Sequence, residues 1–392
     1  MVGEKVWKHW TVVRFFRRAT ANKAATVPLT VNLAPQRISI LQPILSGDPT
    51  LARCLERNLQ IQSRYELEYI WLIDADDAEA KRLCSELIDR FPNRDVKLLQ
   101  LPPPDPRCSP KTTKLIAGAE RATGDVICVL DDDTMLPNGG LEQCLPYLDH
   151  PGVGLAFGLP YYVHFGNVWS ALVACFVNSH ALMTYIPYTA LVEPFTINGM
   201  FFAVRRATLD DVGGFRGLET ALMDDFAIAR RFRSHGYRLA QTPLLHPISN
   251  HVSGPGHYVR LLQRWFIFPR ETVMKALPPR DLAVTYGLGL VATMSPLILA
   301  GYLMLRPSWL AGLVALAYTL YHMAIFAHFN HSYLRHATPW RFAGLVPIVQ
   351  WLLPLQLLVA LMSPQRIVWR GHVMQIEKGG TFRFVKRGTD RS

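Results

Sequence analysis

Two rhythms of apolar and polar positions divide the chain. Between Arg37 and Arg205 short apolar runs alternate with longer mixed segments, the pattern of strands feeding helices. Strands are expected at Ile38–Leu41, Leu67–Ile73, Val96–Leu101 and Val126–Leu130, and again at Gly154–Val163 and Asn198–Arg205. Val126–Leu130 is a continuous apolar run, as a strand buried on both faces requires. A helix is expected from Gly47-Asp48-Pro49 to Ile61, with Asp48 as its cap and Pro49 in its first turn. Others cover Ala78–Phe91, Lys111–Arg121 after the Pro-rich loop Pro102–Pro110, and Ala221–Arg233. Strand–helix–strand repetition calls for an α/β fold with a mostly parallel sheet and right-handed crossovers.

The second rhythm starts at residue 282. Leu282–Leu305, Pro307–Leu334 and Phe342–Gln365 contain no Lys, Arg, Asp or Glu, and each exceeds the roughly 20 residues that cross a bilayer. Trp309, Trp340 and Trp369 stand near their ends, where interfacial anchors belong. Membrane association follows. Residues 167–192 are also apolar, but Asn178, Ser179, His180 and several tyrosines point to an amphipathic surface segment. Near the N-terminus Trp7, Trp10, Val13 and Phe16 are interleaved with Lys8, Arg14, Arg17 and Arg18. That stretch reads either as a membrane-surface helix or as an unstructured basic tail. The chain thus divides into a basic segment (1–35), an α/β domain (36–280), membrane helices (281–365) and a basic tail (366–392).

Lys and Arg flank the membrane region on both sides, at Arg260, Arg264, Arg270, Lys275 and Arg280 and again from Arg366 to Arg387. By the positive-inside rule the α/β domain and the tail share the cytosolic side. An even number of crossings then requires one of the three stretches to bend back. Leu282–Leu305 is the candidate, because Met294-Ser295-Pro296 interrupts it.

Composition narrows the partners. Half the residues are hydrophobic and 18% are charged, and the net charge is +11. No nucleic-acid-binding signature accompanies that charge, which leaves anionic lipid or an anionic substrate. The six cysteines lack paired spacing, so neither a zinc site nor a redox motif is expected. The fingerprint of dinucleotide-binding folds is absent after the first strand.

The chemistry gathers around carboxylates. Asp131, Asp132 and Asp133 directly follow Val126–Leu130, at the carboxyl end of a parallel strand, where ligands bind in open α/β sheets. Asp74, Asp76 and Asp77 follow the second strand, and Asp224 and Asp225 open a later helix. Lys111 and Lys114 lie between the first two groups, and Gln263-Arg264-Trp265 lies downstream. This set suits transfer from a nucleotide-sugar. Asp74 can hold the nucleoside, Asp131 and Asp133 a hard divalent cation, Lys111 and Arg264 the phosphates, and Asp225 can take a proton from the acceptor.

Taken in order, Ile70-Trp71-Leu72-Ile73-Asp74-Ala75-Asp76-Asp77, Ser109-Pro110-Lys111, Val129-Leu130-Asp131-Asp132-Asp133, Asn198-Gly199-Met200, Met223-Asp224-Asp225-Phe226, Gln263-Arg264-Trp265 and Val368-Trp369-Arg370-Gly371 resemble the ceramide glucosyltransferase-like group of inverting glycosyltransferases (family 2/21). The resemblance covers residues 36–385. It implies a GT-A fold on the cytosolic face of a membrane, with a UDP-sugar and Mg2+ or Mn2+ bound. It further implies transfer of a single sugar, glucose in the first instance, to the hydroxyl of a lipid such as ceramide. Asp225 would be the base, Asp131 and Asp133 the metal ligands, and Asp74, Lys111, Asp131, Arg264 and Trp265 the donor site, with Asn198, Gly199 and Asp224 toward the acceptor. The family pattern has Gln or Arg three residues before the Arg-Trp pair, where this chain has Leu261; Arg260 and Gln263 are the candidate substitutes. The alternatives are a processive polysaccharide synthase and transfer to a hopanoid, sterol or diacylglycerol. A transporter is disfavoured, since the apolar stretches carry no ionisable Asp, Glu, Lys or Arg.

Overall fold

A computed structural model describes residues 2–25, 37–362, 366–369, 372–377 and 380–386. The first helix, α1 (Val2–Ala25), replaces the ambiguous basic stretch with one continuous element. The alternation then runs β1 (Arg37–Pro43), α2 (Leu51–Leu59), β2 (Glu66–Asp74), α3 (Ala78–Arg90), β3 (Asp95–Leu101), α4 (Pro110–Arg121) and β4 (Val126–Leu130). α5 (Gly140–Cys144), β5 (Val153–Tyr162), α6 (Val168–Thr189), β6 (Phe201–Arg205), α7 (Arg206–Asp211), α8 (Asp224–Ser234) and β7 (Arg238–Ile248) follow. Next come α9 (Pro255–Glu271), α10 (Val273–Ala276), α11 (Pro279–Thr285), α12 (Ala292–Leu305), α13 (Trp309–Ser332) and α14 (Leu345–Met362). The chain closes with β8 (Arg366–Trp369), β9 (His372–Ile376) and β10 (Phe382–Lys386).

These elements form two compact units that are not consecutive in sequence. One comprises residues 1–26, 161–193 and 252–364; the other comprises 27–160, 194–251 and 365–392. In the second unit the described residues form a seven-stranded sheet of order β3-β2-β1-β4-β6-β5-β7. β1 to β4 run parallel, and β6 is antiparallel to both β4 and β5, so β1 to β5 share one direction. β4 alternates between two cores. Val126, Cys128 and Leu130 pack on one face of the sheet with Leu55 and Leu87, while Ile127 and Val129 pack on the other with Leu115 and Ile228. Burial on both faces is why its sequence is apolar throughout.

The helix after β1 starts later than expected. Its cap position is Thr50, and Asp48 instead accepts the Thr50 amide and hydroxyl at 2.7 and 2.8 Å. At α3 the cap is Asp77, which accepts from the Ala80 amide at 3.0 Å and the Ser46 hydroxyl at 2.7 Å. The C-terminal residues are more than a tail. β8, β9 and β10 form an antiparallel sheet, which bonds through the Phe384 amide to the Pro106 carbonyl and through the Gly380 carbonyl to the Leu222 amide, both at 2.9 Å. Arg370 and Gly371 of the family-like stretch lie outside the described residues.

In the first unit, α6 and α13 are long and apolar enough to cross a membrane. α6 is apolar all round rather than along one face, which differs from the amphipathic expectation. Pro279–Leu290 and Thr293–Leu305 form a third apolar pair bent by 49°. The break falls at the residues that face the ring of Pro296 one turn on, and Tyr286–Val291 before it widens into a π-type turn. α1 packs here, with Val12 fully buried and Phe16 stacked on Tyr333.

Candidate active site

The carboxyl ends of β1, β2 and β4 and the segment entering β6 converge in the second unit. β6 is antiparallel to β4, so the residues before it lie beside the residues after β4, and the Asp131 amide donates to the Met200 carbonyl at 3.0 Å. Ser109 caps α4, and Pro110 occupies its first turn. That start sets Lys111 and Lys114 one turn apart on one face of the helix, pointing at the strand ends.

Lys111 is the hub of the cluster. Its Nζ lies 2.7 Å from Asp131 Oδ1, 3.3 Å from Asp224 Oδ2 and 3.0 Å from the Gly199 carbonyl. An ammonium has three N–H groups, and these contacts use all of them. Lys111 therefore reaches a phosphate only by exchanging one of these partners. Burial works against its charge, but Asp131, Asp224 and Asp225 outweigh that and push its pKa up. Gly199 belongs to the same knot. A Cβ there would stand 3.1 Å from Asp225 Cβ and 3.7 Å from Lys111 Nζ, so a side chain at 199 would crowd both.

Asp224 and Asp225 open α8, where the helix dipole favours negative charge. Even so, burial, the neighbouring Asp224 and, in smaller part, Asp131 raise Asp225 to a pKa of about 7, against the opposing pull of Lys111 and the Phe226 amide. Burial likewise raises Asp131 in spite of its contact with Lys111. The Asp131, Asp224 and Lys111 side chains keep 22–26% of their surface, so the cluster is desolvated yet open to a ligand.

The remaining carboxylates separate by role. Asp132, in the middle of the acidic triplet, is buried and accepts the Leu45 amide at 2.9 Å, which pins the end of β1. Asp133 receives the Thr134 hydroxyl and the Asn250 amide, each at 3.3 Å. Asp74 pairs with Lys114 at 3.1 Å, and Lys114 also donates to the Ile44 carbonyl at 2.9 Å. Burial pushes the pKa of Lys114 down. Its signal in the sequence was the one-turn spacing from Lys111. Asp76 is exposed, and Asn198 is buried.

Among the described residues no three His, Cys, Asp or Glu side chains form a metal cage. The donor chemistry nonetheless fits Mg2+ or Mn2+. Such ions need only one or two carboxylates when phosphate and water complete the shell, and the Asp131 side chain keeps 25% of its surface open beside Lys111. Arg264 and Trp265 lie on α9 in the other unit, where Trp265 packs against Phe176 and Tyr162. Leu261 on the same helix is buried and apolar, whereas Arg260 is exposed.

Comparison with known proteins adds three likenesses. The family described as glycosyl transferase family 21 matches residues 4–382. Ceramide glucosyltransferases 1 and 3 of Caenorhabditis elegans are 21% and 22% identical, over 89% and 88% of this chain and 73% of each relative. A mannosyltransferase of Pyrobaculum calidifontis, solved with GDP-Man and Mn2+, is 16% identical with a TM-score of 0.48, over 91% of this chain and 97% of that one.

Proposed function

The chain belongs to glycosyl transferase family 21 and is a glycosyltransferase with a GT-A-like α/β sheet, and from that premise we propose that it moves one sugar from a UDP-sugar to the hydroxyl of a membrane lipid of the ceramide type. Asp225 carries the reading. It is a carboxylate held near neutrality, so it can both take and release a proton at physiological pH.

In this account the lipid hydroxyl gives its proton to Asp225. Its oxygen bonds to the anomeric carbon while the bond from that carbon to the diphosphate breaks, and UDP leaves with the electron pair. Attack from the face opposite UDP inverts the anomeric centre. Lys111 holds Asp131 and Asp224 in place and limits how far the Asp225 pKa rises. Asp131 and Asp133 would hold the divalent cation, which when bound neutralises charge on the leaving diphosphate. Lys114 fixes Asp74 for the nucleoside. The catalytic unit faces the cytosol of a membrane-associated protein.

Incubating the membrane-embedded enzyme with UDP-glucose and ceramide, then weighing the extracted lipids by mass spectrometry, tests this. A gain of one hexose per lipid is expected. A growing polymer would support a processive synthase instead, and modification of diacylglycerol or sterol alone would reassign the acceptor.

A further inference from the structure

The membrane unit holds polar chemistry that this reaction does not use. α6 and α13 carry His180 and His322, whose ring centroids lie 5.2 Å apart. Their hydrogen bonds give the two Nε2 atoms opposite roles. Lys5 of α1 donates to His322 Nδ1 at 3.0 Å, and an ammonium cannot accept, so the neutral ring carries its proton on Nε2. That N–H is buried and lacks a partner; the whole residue is 2% exposed. His180 Nδ1 meets the Phe176 carbonyl at 3.0 Å. A carbonyl only accepts, so the proton sits on Nδ1 and Nε2 is a bare acceptor. Ser179 Oγ, 2.8 Å from the same Nδ1, is turned to the Cys175 carbonyl at 2.6 Å and leaves this assignment unchanged. A second positive charge beside Lys5 is disfavoured, so both rings stay neutral.

α1 packs against α6 and α13, which carry the pair. With Glu4, Lys5, Lys8, Arg14, Arg17 and Arg18 this helix is too charged for hydrocarbon, and its exposed Val2, Val6 and Trp10 form a stripe at four-residue spacing. A helix of this composition belongs at a membrane surface. Ionisable groups inside a membrane unit are costly and mark function.

One ring donates and its neighbour accepts, and a hydroxyl does both. A phosphate would satisfy His322 but not the bare nitrogen of His180, and a quaternary ammonium satisfies neither. We propose that His180 and His322 together seat a hydroxyl of a membrane lipid. That this lipid is the glycosyl acceptor rests on the function proposed above; the site itself does not.

The test uses the full chain in phosphatidylcholine nanodiscs, without donor. Binding of a fluorescent short-chain ceramide is compared with binding of the same molecule with its hydroxyls methylated. Wild type is expected to favour the free hydroxyls. His322→Phe and His180→Phe are each expected to lose roughly three- to tenfold in affinity for the hydroxyl probe, the weight of one hydrogen bond, with methyl-ether binding unmoved. His322→Gln, which keeps an N–H donor, should retain most of the affinity. Where a Phe variant fails to fold, Met at the same position takes its place. Equal wild-type affinity for both probes, or undiminished binding by folded variants, overturns the site. Wild type that glycosylates ceramide but fails this comparison loses only the site. Wild type that passes it but transfers no sugar to lipid keeps the site and loses the acceptor reading.

Discussion

Asp225 turns a structural detail into a pH dependence. Its carboxyl is protonated below a pKa of about 7 and cannot accept a proton there. Turnover should therefore climb as pH rises through about 7 and level off above, with the apparent value belonging to the coupled Asp224–Asp225–Lys111 group. Lys111 and the Phe226 amide hold this value down. Lys111→Met should move the limb to higher pH and lower the plateau, and a pH–rate profile whose midpoint stays in place would remove Lys111 from this role. The same shift acts on stability with the opposite sign. Between the ordinary carboxylate range and about 7, the folded state binds a proton that the unfolded state does not, so this group's contribution falls as pH rises through that window. Asp74 and Asp131 to Asp133 were legible because they follow apolar strands, and Asp224 and Asp225 because they open a helix. Their division of labour was not, since only the fold shows that Asp132 pins a backbone amide while Asp131 meets Lys111.

At the scale of elements, the amino end of the sheet has its own buried carboxylate. Glu68 on β2 is fully buried, and it accepts from Ser39 of β1 at 2.5 Å, from Lys97 of β3, and from the Thr123 amide at 2.9 Å. Burial alone would raise its pKa, but these bonds outweigh it and hold the group down at about 2. Its stabilising contribution is therefore present above the ordinary Glu range and is lost as pH falls from about 4.5 toward about 2. Glu68→Gln should cost on the order of 1–3 kcal/mol at neutral pH and flatten acid unfolding in that window, as thermal melts at several pH values would reveal. Beside it, a Cβ on Gly124 would meet the Arg37 carbonyl and the Ser39 amide at 2.7 Å. Gly124→Ala should destabilise by roughly 1–3 kcal/mol in the same assay. β4 was readable to the residue because a doubly buried strand must be apolar at every position. β8–β10 escaped notice because short strands on a basic tail resemble solvated chain, and their partners, Pro106 and Leu222, are remote in sequence.

For the whole molecule, connectivity constrains the membrane path. The chain leaves the catalytic unit at Tyr161 and re-enters it by Pro194, and it leaves again at Val252 and returns by Gln365. A single crossing by α6 would put its two ends on opposite sides, so we expect α6 to enter and leave on the same side despite its length. The positive-inside reading calls for an even number of crossings between residues 252 and 365, and the 49° bend between Pro279–Leu290 and Thr293–Leu305 is where we expect the path to turn back. An impermeant thiol reagent should fail to label a cysteine placed in β10 of intact cells; labelling there would mean an odd number of crossings. The central claim is narrower: Asp225 activates a lipid hydroxyl against a UDP-sugar. Its most direct test is single-turnover transfer from UDP-glucose to ceramide by wild type and Asp225→Asn, with UDP affinity measured in parallel. The account predicts a singly glycosylated lipid from wild type, a loss of about 100- to 10,000-fold in the variant, and nearly unchanged UDP affinity. Transfer by Asp225→Asn at the wild-type rate would contradict it.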